Sequence, residues 1–572
     1  MLALRKLSSL SQRASVADEL KQYGGNIIHA SNQYGSTMSI SYAAVNFTGQ
    51  PRNFPNYGDY QDTYLLTTYG NWWREVPSFS PEFGCKNISL EDDPPIDDFV
   101  VLSFENVVYP TALDIFETFH PGAIQRIWAF TFSRKWILLW NVEVDRLQKQ
   151  KAFQQIGDGK SRLFHPLIRP MDERTRVLRI EFSTRHLDYL PGLDGVMLTG
   201  SIYPTDDNQF CRQSTSTTET KTLGKEIDTP ENVLNVCEFP YEILFNIFSN
   251  LDLLSLRTAE KVCKKFRDVV QDSHLYREVN FRPYWMEVNS EMIAWLSDRC
   301  SQIRKLDLSW CGMFGFLKDD DVSSFLRIHG SELTNLRLNS TFIAENSFRC
   351  LSTHCRNLRE LSIRNASFTN HLRDGFFQHL VRLDIARSDM STKTLVCILR
   401  ANPCMQHLNA SCCEEINMQE IAMVISVHNL DLVSLNTWKT QTLHTAGLLA
   451  LKNCTKLQEL DLGWSIHDES LEGVLENVVK NCPGLQKLVL SGIRSVQNAD
   501  MVAIAEHCPD LTQLDVMGCI RITGQAVQAV LMSCRKLRLL EISHCSDLEP
   551  LSIGLWKRDY PQVAIKHFTD IY

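Results

Sequence analysis

From residue 303 onward one phrase, L-x-x-L-x-L, recurs ten times, beginning at Ile303, Leu333, Leu358, Leu380, Met405, Leu432, Leu457, Leu485, Leu511 and Leu537. Representative copies read "IRKLDLSWC", "LQELDLGWS" and "LTQLDVMGC", and successive starts lie 22 to 30 residues apart. A period in this range marks one small unit that cannot bury its own apolar side and must stack on copies of itself. Within each copy the second and third apolar residues, such as Leu306 and Leu308, alternate with residues that point the other way. A short strand therefore sends its leucines into a shared core. The last position of the phrase favours a small side chain where strand turns to helix, and Cys311, Cys413, Cys519 and Cys545 fill it. Three residues ahead of the phrase stand Cys300, Cys355, Cys454, Cys482, Cys508 and Cys534. Thiols at equivalent inward positions act as small hydrophobes, which fits a reducing compartment and argues against disulfides. The segment "VAIKHF" (563–568) is expected to close the array as a capping strand.

Composition narrows the function classes. With 44% hydrophobic and 22% charged residues the chain has ample material for packed cores. A net charge of -9 disfavours nucleic acid, whose phosphates need clustered positive charge. No apolar run approaches the roughly 18 residues that span a bilayer. The 18 cysteines include no C-x-x-C pair, and no His/Cys cluster has zinc spacing. "GDGKS" (157–161) places Gln154 where a phosphate loop needs its first glycine. H-E-x-x-H and G-x-S-x-G motifs are missing as well. No catalytic residue, metal or cofactor is expected.

The chain changes character along its length. Residues 1–24 open as "MLALRKLSSLSQRAS", basic and Ser-rich with no acid before Asp18, which is the composition of a mitochondrial presequence. Residues 25–203 hold short aromatic and β-branched runs: "FVVLSFENVVY" (99–109), "TALDIFETF" (111–119), "RIWAFTF" (126–132), "KWILLW" (135–140), "RVLRIEFST" (176–184) and "VMLTGSIY" (196–203). These predict a β-sandwich, with Trp72, Trp73, Trp128, Trp136 and Trp140 mostly core aromatics. Residues 204–232 carry many Ser and Thr and few large apolar side chains, too few to offset ordering entropy, and read as a flexible linker.

Between linker and repeats lies 233–282, with "EFPYEILFNIFSNLDLLSLRTAEKVCKKF" at its centre. Pro240 suits the first turn of a helix, and Ile243, Leu244, Ile247, Phe248 and Leu251 recur on one helical face. A second helix is expected to carry Leu256, Ala259, Val262, Cys263 and Phe266, and a short third one ends near Tyr276. So small a helical unit folds marginally alone, and its remaining apolar face wants a partner.

Four resemblances follow from these residues. The repeats over 283–572 resemble the cysteine-containing subclass of leucine-rich repeats, a strand-plus-helix solenoid bent into a horseshoe. Residues 233–282 resemble an F-box: Phe239-Pro240-x-Glu242 stands for its Leu-Pro-x-Glu, Ile247-Phe248 for its Ile-Leu/Phe pair, and Val262-Cys263-x-x-Phe266 for its Val-Cys-x-x-Trp. The sandwich resembles a discoidin-like domain. Together, with "YGNWW" (69–73), "YPTALDIFETFHPGAI" (109–124), "PYWMEV" (283–288) and "LQELDLGW" (457–464), the chain resembles the mitochondrial F-box/leucine-rich-repeat family.

That resemblance implies a multidomain fold of N-terminal β-sandwich, three-helix F-box and C-terminal α/β solenoid. It implies a Skp-type adaptor, and through it a cullin scaffold, bound by Phe239, Pro240, Ile243, Leu244, Ile247, Phe248, Leu251, Leu256, Val262, Cys263 and Phe266. It further implies a role as substrate receptor of a ubiquitin ligase on the cytosolic side of the mitochondrial outer membrane, turning over mitophagy receptors and so restraining mitophagy. Substrate contact is expected on the concave strand face, at Arg337, Arg364, Arg382, His407, Trp438, Asp461 and Asp515. The early copies there lean basic and the late ones acidic, through Glu459 and Glu541 as well. The alternative from another class is a scaffold of the mitochondrial interior that works without ubiquitin.

Overall fold

The computed structural model describes residues 19–31, 43–66, 76–80, 98–131, 135–142, 160–184, 186–187, 189–203, 236, 239–284, 288–311, 317–341, 344–366, 377–466 and 470–568. The presequence-like residues 1–18, Trp72 and Trp73, Gly157–Gly159 of "GDGKS" and the whole linker 204–232 lie outside them. The chain divides into two compact units. Met1–Trp73 and Pro94–Glu226 make one; Arg74–Asp93 and Ile227–Tyr572 make the other.

The first unit is built from β1 (Glu19–Tyr23), β2 (Asn26–Ala30), β3 (Tyr64–Leu65), β4 (Asp98–Phe119), β5 (Ile124–Thr131), β6 (Trp136–Asn141), β7 (Arg162–Phe164), β8 (Thr175–Phe182) and β9 (Gly192–Ser201). Every pairing is antiparallel. The sheet thus begins at Glu19, ahead of residue 25. Where two strands were expected on either side of Pro110, β4 is one strand of 22 residues. Its first part, Asp98–Ser103, pairs with β8, whereas Tyr109–Phe119 pairs with β9. The register shifts between Ser103 and Val108 and again between Pro110 and Ala112. Pro110 therefore sits at the irregularity where the strand changes partners, a place that tolerates its missing N–H. Leu102, Ile115, Leu178, Ile180 and Leu198 meet in one core. Trp128 and Trp140 are buried, and the indole N–H of Trp128 donates to Glu181 at 2.9 Å, a carboxylate also held by Arg126 at 2.8 Å and Arg179 at 2.7 Å.

The second unit opens with α1 (Tyr241–Phe248), α2 (Leu253–Ala259) and α3 (Lys264–Val270), then a 3-10 turn at Ser273–Tyr276. The single helix expected across Leu256–Phe266 is two helices. Cys263 leaves helical geometry (φ -155°, ψ 169°) to cap α3, its sulfur accepting the Phe266 N–H. Asp252 caps α2 in the same way, accepting from Ser255 at 2.7 Å. Among the described residues twelve parallel strands of three residues follow, from β10 (Glu278–Asn280) to β21 (Ala564–Lys566). Leucine pairs with leucine from strand to strand, Leu306 with Leu336, Leu361, Leu383 and onward to Leu540. The F-box-like segment supplies the first strand, because Val279 pairs with Leu306. A strand at Ala564–Lys566 ends the sheet.

One left-handed residue follows the phrase in every repeat: Trp310, Ser340, Asn365, Arg387, Cys412, Lys439, Trp464, Gly492, Gly518 and His544, with φ from 53° to 75°. The residue ending the strand braces this turn. Asp307, Asn409, Asn436, Asp461, Asp515 and Glu541 each accept the N–H two positions on, at 2.8–3.2 Å. The repeat cysteines are buried thiols: the Cys482 and Cys534 sulfurs reach the carbonyls of Cys454 and Cys508 one repeat earlier, both at 3.4 Å. Burial pushes the thiols of Cys454 and Cys508 up to about 12, so they stay protonated. Of the four copies without this cysteine two have Gly330 and Phe377 there and two have Asn402 and Asn429, and the Asn429 amide donates to Asn402 O at 2.8 Å.

Candidate functional site

Two surfaces of the second unit carry the expected site residues. The first is the helical segment ahead of the repeats. One side of it merges with the solenoid: Leu244, Phe248, Leu256, Val269 and Val270 share a single apolar core with Met292, Ile293 and Leu296. Polar contacts fix the same seam. Glu260 accepts from the Trp295 indole at 2.8 Å and from Arg299 at 2.6 Å. Burial acts to raise the Glu260 carboxyl, but these two donors outweigh it and hold it below its ordinary value. Tyr276 packs edge-on against Trp295 at 5.7 Å, and its hydroxyl donates to Val270 O at 2.8 Å.

The eleven residues expected to meet an adaptor divide accordingly. Leu244, Phe248 (3% exposed) and Leu256 are inside, so they support the surface from behind and do not form it. Phe239, Cys263 and Phe266 are half-buried, with Phe266 edge-on to Phe248 at 5.0 Å. Pro240 is exposed, and its carbonyl accepts the first helical hydrogen bond, from Leu244 at 3.1 Å. Ile243, Ile247 (40% exposed), Leu251 and Val262 (62% exposed) stand open to solvent. Ile243, Ile247 and Leu251 are four residues apart and lie along one side of α1 and its continuation. Apolar side chains so placed gain about 1.5–3 kcal/mol each when a partner covers them.

The second surface is the outward face of the parallel sheet. Arg337 is buried and pairs with Glu360 at 3.0 Å. The Asn335 amide holds the other Glu360 oxygen at 2.9 Å. Burial acts to raise Glu360, yet Arg337, the Ser80 hydroxyl and Arg382 together hold its carboxyl below the ordinary value. His407 is half-buried, and burial with the neighbouring Arg382 charge pushes it down to about 4, so it is neutral at physiological pH. Its Nδ1 has no hydrogen-bond partner among the described residues.

Lying over this stretch is a piece of chain from far upstream. Val76–Ser80 belongs to the second unit and makes a turn, the Phe79 N–H donating to Val76 O at 3.0 Å. Arg382 donates to the carbonyls of Ser78 at 2.5 Å and Pro77 at 3.0 Å. Arg337 donates to the Ser80 hydroxyl at 2.6 Å, and that hydroxyl donates to Glu360 at 2.7 Å. The Ser78 N–H donates to Glu459 at 3.1 Å, a carboxylate steadied by the Ser434 hydroxyl at 2.9 Å.

The remaining expected residues stand apart from that network. Arg364 is 53% exposed and pairs with Asp384. Trp438 is half-buried under the Lys439 ammonium at 4.5 Å. Asp461 and Asp515 each brace their own repeat turn, as above. Burial raises both carboxyls, and for Asp515 the Glu541 charge adds to it. The recurrence of Asp, Asn or Glu at that position was the signal for a structural role. Glu360 and the turn at 76–80 were missed. Glu360 stands at a strand position that also holds Lys, Asn, Arg, His, Ser, Gln and Leu in other copies, and five residues nearly 260 positions upstream of Arg337 carry no periodic mark. Among the described residues no helix is long and apolar enough to cross a membrane, and no three His, Cys, Asp or Glu gather as metal ligands.

Comparison with known proteins converges on the helical segment and the repeats together. Residues 236–282 match the F-box-like family. F-box/LRR-repeat protein 4 of Bos taurus is 33% identical over 598 residues, spanning 98% of this chain and 94% of that protein. Of solved structures, the Rad7 and Elc1 complex of yeast aligns with a TM-score of 0.37 and 13% identity, over 58% of this chain and 88% of that one. An internalin (inlF) of Listeria monocytogenes aligns with a TM-score of 0.30 and 13% identity, over 51% and 94%. Likenesses that low decide nothing further. The near-complete match to the bovine protein, with the F-box-like helices leading straight into the repeats, is decisive: the chain belongs to the F-box/LRR-repeat family.

Proposed function

We propose that this chain is the substrate-recognition subunit of a Skp–cullin–F-box ubiquitin ligase. The observation that carries the reading is the divided helical segment: its inner side is built into the repeat core, while Ile243, Ile247, Leu251 and Val262 are left exposed. A Skp-type adaptor is the partner that F-box membership implies for that side. The chain itself breaks no bond. It raises the effective concentration of a target's lysines near a charged ubiquitin carrier. The site of action we propose is the cytosolic side of the mitochondrial outer membrane, on mitophagy receptors whose turnover restrains mitophagy. Leu2, Leu4, Leu7 and Leu10 with Arg5, Lys6 and Arg13 support a mitochondrial address, on either face of the membrane. The N-terminal sheets are proposed to be discoidin-like and to dock or position the target.

The test is co-purification of Skp-type adaptor and cullin with tagged full-length wild type and with Ile243→Asp/Ile247→Asp. Recovery with wild type alone is expected, because two buried carboxylates cost several kcal/mol at such an interface. Equal recovery with both chains rejects the reading. Protease digestion of the chain on intact mitochondria is expected under the proposed location; full protection points to the interior scaffold instead.

A further inference from the structure

We infer that the sheet face framed by Arg337, Glu360, Arg382 and Glu459 is a peptide-reading site for a proline-led turn bearing a serine hydroxyl, and that Val76–Ser80 fills it in cis. The contact is dense for five residues. Two guanidinium groups take the carbonyls of Pro77, Ser78 and Ser80, and two carboxylates take the Ser78 N–H and the Ser80 hydroxyl. Each charged group has its complement. Asn335 and Ser434, neighbours on the same sheet, orient the two carboxylates from the side. Such supporting bonds mark a prepared site, since a loose carboxylate would lose rotamer freedom on every binding event.

The chemistry also states what the site reads. Four of the bonds go to main-chain atoms, which any sequence offers once its backbone is turned correctly. Proline at the second position of Val76–Phe79 favours that turn. Only the Ser80 side chain is recognised as such, sandwiched between Arg337 at 2.6 Å and Glu360 at 2.7 Å. A hydroxyl fits there because it donates to the carboxylate while accepting from the guanidinium. The class of partner is therefore an x-Pro-x-x-Ser or x-Pro-x-x-Thr turn on another protein. The chain's own copy competes with it, and the fraction of molecules in which that copy is released sets the apparent affinity.

The assignment rests on this geometry and not on the ligase reading, so loss of adaptor binding leaves it standing. The probe is a fluorescent peptide with the chain's own 76–80 sequence, Val-Pro-Ser-Phe-Ser, titrated into full-length protein and followed by anisotropy. Pro77→Gly/Ser80→Ala, which weakens the copy in cis, is expected to bind the peptide about tenfold tighter than wild type, as removing a 90% occupant predicts. Adding Arg382→Glu is expected to abolish binding, and a peptide with alanine for its last serine to bind at least tenfold more weakly. Thermal unfolding of each variant verifies that the repeats are intact. Equal peptide binding by wild type and the weakened chain overturns the competition in cis. Binding that survives Arg382→Glu in a folded chain overturns the site.

Discussion

Ile247 and Phe248 are adjacent in sequence and opposite in fate. Helical periodicity assigns both to one apolar face, because a helix of eight residues with apolar side chains on two stripes looks like one wide stripe. The structure separates them: Phe248 packs with Leu244 and Phe266, while Ile247 faces solvent. Phe248→Ala should therefore cost about 3–5 kcal/mol of stability, and Ile247→Asp should stay within about 0.5 kcal/mol of wild type, both read by denaturant unfolding of the full chain. A second residue-scale prediction concerns Asp500, buried at the start of the helix Asn498–His507. Burial pushes its carboxyl up to about 6 from an ordinary 3.8, against a hydrogen bond from the Gln497 N–H. The folded chain then keeps a proton that the unfolded chain releases between those values, so this contribution is full below pH 3.8 and declines as pH rises to 6. Its size is about 3 kcal/mol. Asp500→Asn should flatten the pH dependence of the unfolding midpoint across that window; an unchanged slope would exclude the residue as its source.

At the scale of elements, what could be read in advance followed from period. Leucine spacing located the strands Lys305–Asp307 through Leu539–Glu541 because every copy repeats the same burial. Aperiodic features were misread. Pro110 looked like a boundary and is a bulge within one long strand, since a strand that changes sheets needs the irregularity proline tolerates. Cys263 looked like part of a helix and is the cap of the next. The turn after each repeat strand offers a graded test. Gly492 and Gly518 have φ of 75° and 73°, but a Cβ on Gly492 would lie 2.4 Å from the Trp464 ring, whereas on Gly518 its nearest neighbour is 3.8 Å away. Gly518→Ala should cost about 1 kcal/mol for backbone strain alone. Gly492→Ala should cost about 2–4 kcal/mol by adding overpacking, a difference that urea midpoints resolve.

For the whole molecule, the decisive contacts are those least visible in the letters. Val76–Ser80 meets Arg337, Glu360, Arg382 and Glu459 across more than 250 residues of chain, and no local rule links a proline turn to four strand residues of another segment. The two ends of the parallel sheet are closed differently: the F-box-like segment supplies Glu278–Asn280 at one, and Ala564–Lys566 covers the other. Truncation after Asp559 would bare the strand Leu539–Glu541 as an edge, and a chain lacking its cap should show rising light scattering at concentrations where wild type stays clear. What stays uncovered is the helical face with Ile243, Ile247, Leu251 and Val262, which is why an external subunit is central to the account.

The direct test is calorimetric titration of a purified Skp-type adaptor into the purified full-length chain. Wild type should bind with one saturable step and a negative heat-capacity change from apolar burial, and Ile247→Asp, folded to the same midpoint, should give no measurable heat of binding. Wild type that fails to bind, or an Ile247→Asp chain that binds equally well, would contradict the assignment of this face.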